Sequence, residues 1–166
     1  GPAPEGNNYI KPRSKYRLFI GEKFVTPRSG KYFDSINPAT EGKLAEIAEG
    51  NARDIDLAVK SARRAYKNVW SKMAGRERGK FLYRIARLIQ EKSRELAVLE
   101  TMDGGKTIKE SRDIDLPLVA APFFYYAGWA DKLEYAFPGR RPRPRGVGGK
   151  VMPWELPPPL AAWDTG

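Results

Sequence analysis

An α/β fold, strands first and helices after, is predicted for this chain by three observations. Residues Tyr16 to Ile47 read as short strands separated by turn residues. After Gly50 the hydrophobic period changes from two to near 3.6. A glycine- and proline-rich stretch then leads into one more strand candidate, Gly149-Lys150-Val151-Met152, just before Pro153-Trp154.

The first strands are Tyr16-Arg17-Leu18-Phe19-Ile20 and Lys23-Phe24-Val25, flanking Gly21-Glu22. Glycine in the first central position of a two-residue loop predicts a type II′ hairpin turn. A second pair follows, Lys31 to Ile36 and Lys43 to Ile47, and Asn37-Pro38-Ala39-Thr40-Glu41-Gly42 between them predicts a loop.

The helices open at Asn51, a residue type whose side chain caps a helix, with Asp54 three positions on. Ile55, Ala58, Val59, Ala62, Ala65, Tyr66 and Val69 then fall on one stripe. A second helix is expected from about Gly75 to Lys92 with Phe81, Leu82, Ile85, Leu88 and Ile89 inward. The third, about Arg94 to Asp103, stops at Gly104-Gly105, the usual C-terminal signal. The fourth runs roughly from Ile108 to Tyr135 and carries Phe123, Phe124, Tyr125, Tyr126 and Trp129. Pro117 and Pro122 each remove a backbone donor, so a break or kink is expected between Asp113 and Pro122.

Composition narrows the chemistry. Among 166 residues there is no cysteine and no histidine. That removes disulfides, Cys/His zinc sites, Ser–His–Asp and Cys–His catalysis, and imidazole acid–base work. The net charge of +10 invites a nucleic-acid reading. The bases are interleaved with acids along the helices, as in Arg76-Glu77-Arg78, which is the pattern of a solvated face. The acid-free cluster Arg140, Arg141, Arg143 and Arg145 sits among prolines and reads as a connector. No nucleic-acid partner is therefore expected. No membrane association is expected either, since the longest uncharged run, Leu116 to Ala130, holds two prolines and falls short of a span. With no secretory signal pattern, a cytoplasmic location is the default.

The motifs are individually weak. Gly146-Val147-Gly148-Gly149 is more often a tight turn than a phosphate cradle. Asp54/Asp56 and Asp113/Asp115 lie two apart, point to different helix faces, and read as caps rather than acid–base pairs. The aromatic run Phe123–Trp129 reads as core rather than as a base-stacking platform.

Taken in order, however, the segments resemble the aldehyde dehydrogenase superfamily. Leu18-Phe19-Ile20-Gly21-Glu22-Lys23-Phe24-Val25 is similar to that family's opening hairpin. Asn37-Pro38-Ala39-Thr40, Ala48-Glu49-Gly50 and Asp54-Ile55-Asp56-Leu57-Ala58-Val59 follow in its order. So do Trp70-Ser71, Glu77-Arg78-Gly79-Lys80-Phe81-Leu82 and Leu99-Glu100-Thr101-Met102-Asp103-Gly104-Gly105-Lys106. Glu110 to Leu118 and Tyr126-Ala127-Gly128-Trp129-Ala130 add a similarity to the lineage numbered sixteen.

The resemblance implies the N-terminal part of the family's fold, incomplete: strand hairpins, four helices and the start of a Rossmann-like NAD-binding domain. Three parts are expected. Residues 1–15 are a flexible leader, and 16–137 hold the N-terminal strands and helices. Residues 138–166 are a proline/arginine-rich connector and a truncated start of the nucleotide-binding sheet.

It further implies NAD(P)-dependent oxidation of an aldehyde substrate to the acid, and a homo-oligomer for the full-length protein. In this chemistry a cysteine thiolate attacks the carbonyl, amide donors hold the oxyanion, and a glutamate-activated water releases the acid. The family's cysteine, its glutamate and the lysine that meets the adenosine ribose lie beyond Gly166.

One active-site segment falls within the chain: Met152, Pro153 and Trp154 on the cofactor side, then Glu155 where the family has an oxyanion-binding asparagine. An ionised Glu155 donates nothing and repels a developing alkoxide. Pro157-Pro158-Pro159 follows where the family starts a helix. The connection from Tyr135 to Arg145 is also shorter than the oligomer-forming hairpin of many relatives. The chain alone is expected to be inactive, with apolar helix faces left open or self-associating. A non-catalytic scaffold or interaction module is the alternative.

Overall fold

The computed structural model describes residues 10–139 and 146–152. Five strands open it: β1 (Lys15–Tyr16), β2 (Leu18–Ile20), β3 (Lys23–Val25), β4 (Tyr32–Ile36) and β5 (Lys43–Ala48). β2 and β3 form the expected hairpin, with Leu18 opposite Val25 and Ile20 opposite Lys23. Its turn is not type II′. Gly21 and Glu22 both have positive φ, 59° and 65°, which is the type I′ arrangement. That turn matches the right-handed twist of its strands even though Glu22 carries a side chain.

β4 and β5 pair antiparallel, with a register shift at Ser35/Ile36. The Asn37–Gly42 loop between them is closed by Asn37, whose amide donates to the Gly42 carbonyl and whose Oδ1 accepts from the Ala39 amide. β1 lies parallel to β5 on its other edge, giving the order β1-β5-β4. Pairing on that edge begins one residue earlier, where the Ser14 carbonyl accepts from Glu46 N–H.

α1 (Ala52–Asn68) starts as its sequence predicts. Asn51 Oδ1 accepts from the amides of Arg53 and Asp54, while Asp54 accepts from the Asn51 amide, a complete capping box. Asp54 also accepts from the Arg28 amide at 3.1 Å, so one buried carboxylate fixes both the helix and the loop after β3. Asn51→Ala is expected to lower stability by about 1 kcal/mol and Asp54→Ala by about 2, read from urea denaturation, because the second also orphans Arg28 N–H.

The apolar stripe of α1 is open to solvent. Ile55 is 63% exposed and Val69 56%, and Asp54 is the helix's one buried residue.

After a 3₁₀ turn at Trp70–Lys72 come α2 (Gly75–Glu91) and α3 (Ser93–Gly104). α2 does not bury the face that its large side chains suggest. Phe81, Ile85 and Leu88 are exposed, Leu82 and Ile89 are half-buried, and the buried positions are Gly79 and Ala86. The small residues let α2 lie against α5, the last long helix, at backbone distance. A Cβ on Gly79 would stand 2.8 Å from the Ala127 carbonyl oxygen, and one on Gly75 would collide with that of Ala130.

The remaining helical run is α4 (Ile108–Glu110), a π-helical turn at Ser111–Asp115, α5 (Leu116–Trp129) and the short α6 (Leu133–Ala136). The expected irregularity before Pro122 is that π turn. Backbone at Glu110, Asp115 and Leu116 stays right-handed helical, so the run bulges without breaking. The wide turn lets Pro117 enter at the first turn of α5, where its missing N–H matters least. Pro122 is carried inside α5.

The aromatic run does not become core throughout: Phe123, Phe124 and Tyr126 are half-buried, whereas Tyr125 is 60% exposed and Trp129 is exposed. The buried apolar set is made of small or branched side chains, Ala45, Ala48, Ala86, Ala97, Val98, Leu116, Val119 and Ala120. No helix among the described residues is long and apolar enough to cross a membrane.

Candidate functional site: a buried charge cluster beside an apolar cavity

α3 ends where the sequence predicts, with Gly105 in the left-handed region at φ 74° and its amide bonded to the Thr101 carbonyl. A Cβ there would meet Pro38 Cγ at 2.9 Å, so this stop also locks α3 against the β4–β5 loop. The reversal leaves Lys106 between α3 and α4, its Nζ 3.9 Å from Glu100 Oε1 on α3. Thr107 then caps α4 through the Glu110 amide, and the π turn presents Asp115 to the lysine.

The result is a buried cluster. Lys106 Nζ donates to Asp115 Oδ2 at 2.7 Å and stands 3.9 Å from Glu100 Oε1. Thr101 Oγ1 donates to Ser111 Oγ at 3.1 Å. Ser35 Oγ donates to Asp103 Oδ1 at 2.5 Å, tying β4 to α3. Glu100 is 9% exposed, and its Oε1 accepts no hydrogen bond.

Burial pushes the Glu100 carboxyl above the ordinary glutamate range. Lys106 pulls the other way, and Asp115 and Asp103 add to the rise. A carboxyl raised in the folded state favours folding most fully below its unfolded pKa, and that contribution is lost as pH rises through the folded value. Glu100→Gln is therefore expected to match the parent in acid and to exceed it in stability at neutral pH, as read from thermal melts at both.

This cluster is absent from the sequence-based candidates. Its one trace in the sequence is a glutamate directly after the apolar run Ala97-Val98-Leu99, six residues before a lysine. The paired-aspartate reading holds for Asp54, which caps α1, and fails for Asp115, which sits in a π turn and holds the half-buried Lys106. Asp56 and Asp113 are exposed partners of Lys60 and Arg112.

Of the residues expected on the cofactor side, Met152 is half-buried beside Val151, which is 96% exposed. Pro153, Trp154 and Glu155 lie outside the described residues.

A dinucleotide finds no cradle among the described residues. One strand–glycine–helix turn is present, β5–Gly50–α1, where a doubly wound fold would seat a phosphate. Its amides are already taken by Asn51 Oδ1 and the Asp54 carboxylate, and that carboxylate repels an anion.

Comparison with known proteins adds what these contacts lack. Residues 24–166 match the model of the aldehyde dehydrogenase family. The chain is 41% identical to aldehyde dehydrogenase family 2 member B4, mitochondrial, of Arabidopsis thaliana, over 92% of this chain and 30% of the relative. It is 38% identical to aldehyde dehydrogenase, mitochondrial, of Rattus norvegicus, over 90% of this chain and 31% of that protein. Among solved structures it resembles a mutant of P. syringae AldA indole-3-acetaldehyde dehydrogenase in complex with NAD+ and IAA. There the TM-score is 0.85 at 34% identity, covering 93% of this chain and 33% of the other. HpcC from Thermus thermophilus gives a TM-score of 0.83 at 32% identity, over 93% of this chain and 31% of that one. The chain thus spans about a third of the length of the relatives it matches.

Proposed function

This chain belongs to the aldehyde dehydrogenase family, and from that premise we propose that it is part of an NAD(P)-dependent enzyme oxidising aldehydes to carboxylic acids, and that this polypeptide alone does not turn over. The observation that carries the reading is the family match across residues 24–166 in a chain without cysteine. Capture of the aldehyde needs a thiolate. NAD+ is bound in the AldA complex, which supports a nicotinamide dinucleotide as the cofactor class. The similarity to the lineage numbered sixteen and the homo-oligomeric assembly are part of the same proposal.

Glu155 is the residue on which activity turns. Replacing a neutral amide donor with a carboxylate removes one oxyanion contact and adds like charge, and losing such a donor alone lowers rate about 10²- to 10³-fold. A scaffold or interaction role is the second reading, favoured by Glu155 and by the open apolar faces of α1 and α2.

Chimeras of the Arabidopsis relative decide between them. In one, this chain replaces the aligned segment up to Met152; in the other, up to Glu155. The first is expected to oxidise aldehyde with NAD+, and the second to be slower by about 10² to 10³. A folded but inactive first chimera would favour the scaffold, and equal rates would remove the role given to Glu155.

A further inference from the structure

An apolar cavity of about 510 Å³ adjoins the charge cluster, with Leu96, Val119 and Phe123 among its walls. A larger groove, about 900 Å³, runs between the β2–β3 hairpin and α1. Val25, Leu57 and Val69 give it an aliphatic floor, and Lys23, Arg28 and Arg64 line it as cations. We propose that this groove docks an extended acidic peptide segment of another protein, whose carboxylates pair with Arg28 and Arg64 while its aliphatic side chains cover Leu57 and Val69.

Charge complementarity names the occupant. Elsewhere exposed lysines find an acid close by: Lys43 holds Asp34, Lys60 Asp56, Lys80 Glu77 and Lys92 Glu95. Lys23, Arg28 and Arg64 are exposed and have no acidic partner among the described residues. Two acids share the groove with them, Glu22 and Asp54. Asp54 is buried, and both of its oxygens already accept, from the Arg28 and Asn51 amides. Cations are therefore in excess, and Ser61 and Asn68 add a hydroxyl and an amide beside them.

Shape and chemistry narrow it further. A guanidinium fork takes a carboxylate through two parallel hydrogen bonds. A phosphate polymer would satisfy the arginines too, but it brings no aliphatic side chains to the floor. From Leu57 to Asn68, α1 lines the groove for about 16 Å, the reach of about five residues of extended chain. A Cβ on Gly21 would stand 3.1 Å from Ser61 Oγ, so the hairpin turn lies against the middle of α1 and fixes the width of the groove.

The probe is a fluorescein-labelled Glu-Leu-Glu-Leu-Glu peptide, titrated with the purified chain and read by fluorescence anisotropy at physiological salt, where attraction beyond about 8 Å is screened. It is expected to bind about ten-fold tighter than Gln-Leu-Gln-Leu-Gln, which lacks the charge, and than Glu-Ser-Glu-Ser-Glu, which lacks the aliphatic side chains. Arg28→Gln with Arg64→Gln should weaken it about ten-fold, and both changes leave in place the Arg28 amide that bonds Asp54. Lys80→Gln with Lys92→Gln removes the same charge elsewhere and should leave affinity within about two-fold. Equal losses in the two double variants, or equal affinity for the leucine and serine peptides, would assign the attraction to the net charge of +10 and overturn the proposal. Absence of binding would overturn it as well. Tighter binding of pentathymidylate than of the leucine peptide would replace the acidic peptide with a phosphate polymer.

Discussion

Lys106→Met is expected to lower the stability of this chain by about 3–5 kcal/mol, the range found when one member of a buried ion pair is removed. The lysine is the single cation of a cluster in which Asp115 is buried and Glu100 is 9% exposed. Methionine fills a similar volume, so the loss isolates charge from packing. Without the ammonium, Asp115 loses its partner at 2.7 Å, and Glu100 loses the one influence that pulls its carboxyl down. Small domains are stable by only about 5–15 kcal/mol, so the variant should unfold in far less urea. Adding Asp115→Asn should recover part of the loss, because a neutral amide no longer needs a cation. A loss under about 1 kcal/mol for Lys106→Met, the value of an exposed pair, would mean that the cluster is solvated and not the anchor described above.

Gly79→Val is the second large effect, expected at about 3 kcal/mol. Overpacking a core ordinarily destabilises by about 1–3 kcal/mol, and here the obstacle is backbone that cannot rotate away. The first added carbon already stands 2.8 Å from the Ala127 carbonyl oxygen and 3.4 Å from Ala130 Cβ. Valine therefore has to lever α2 off α5. Gly128→Ala is the control, since nothing lies within 4 Å of a Cβ there and the position is inside α5. It should be neutral or gain up to about 1 kcal/mol in helix propensity. The urea midpoints of the two variants should move in opposite directions, or only that of Gly79→Val should fall.

Local rules accounted for much of the fold and little of the site. The β2–β3 hairpin, the Asn37–Gly42 loop, the α1 cap and the α3 stop each depend on residues within a few positions of one another, and each formed where its signals stand. The type II′ expectation failed because glycine in the first position does not exclude a left-handed residue in the second, and Glu22 takes that conformation. β1 was not separable from β2, because its partner β5 lies some thirty residues on.

The inward face of α2 came out only in part, with Leu82 and Ile89 half-buried and the other three expected residues exposed, for a related reason. Periodicity reports where apolar side chains recur, but contact with α5 is set by Gly75, Gly79 and Ala86, which carry little hydrophobic signal. Phe81, Ile85 and Leu88 are left outside, as are Ile55 on α1 and Val69 just past its end. Such stripes are the signature of faces that normally pack on something. The Lys106–Asp115 pairing was not legible because the lysine reaches that carboxylate only through the left-handed turn at Gly105 and the π turn at Ser111–Asp115. Neither is a feature of pattern alone.

As proposed above, this chain contributes a strand-and-helix layer to an aldehyde dehydrogenase without holding the dinucleotide by itself. Calorimetric titration of NAD+ into the purified 166-residue chain tests it most directly. No saturable heat up to millimolar NAD+ is the expected result, since the strand–glycine–helix turn at Gly50 is filled by Asn51 and Asp54. Saturable binding at micromolar concentration would contradict it, and would mean that the chain builds a complete nucleotide site of its own.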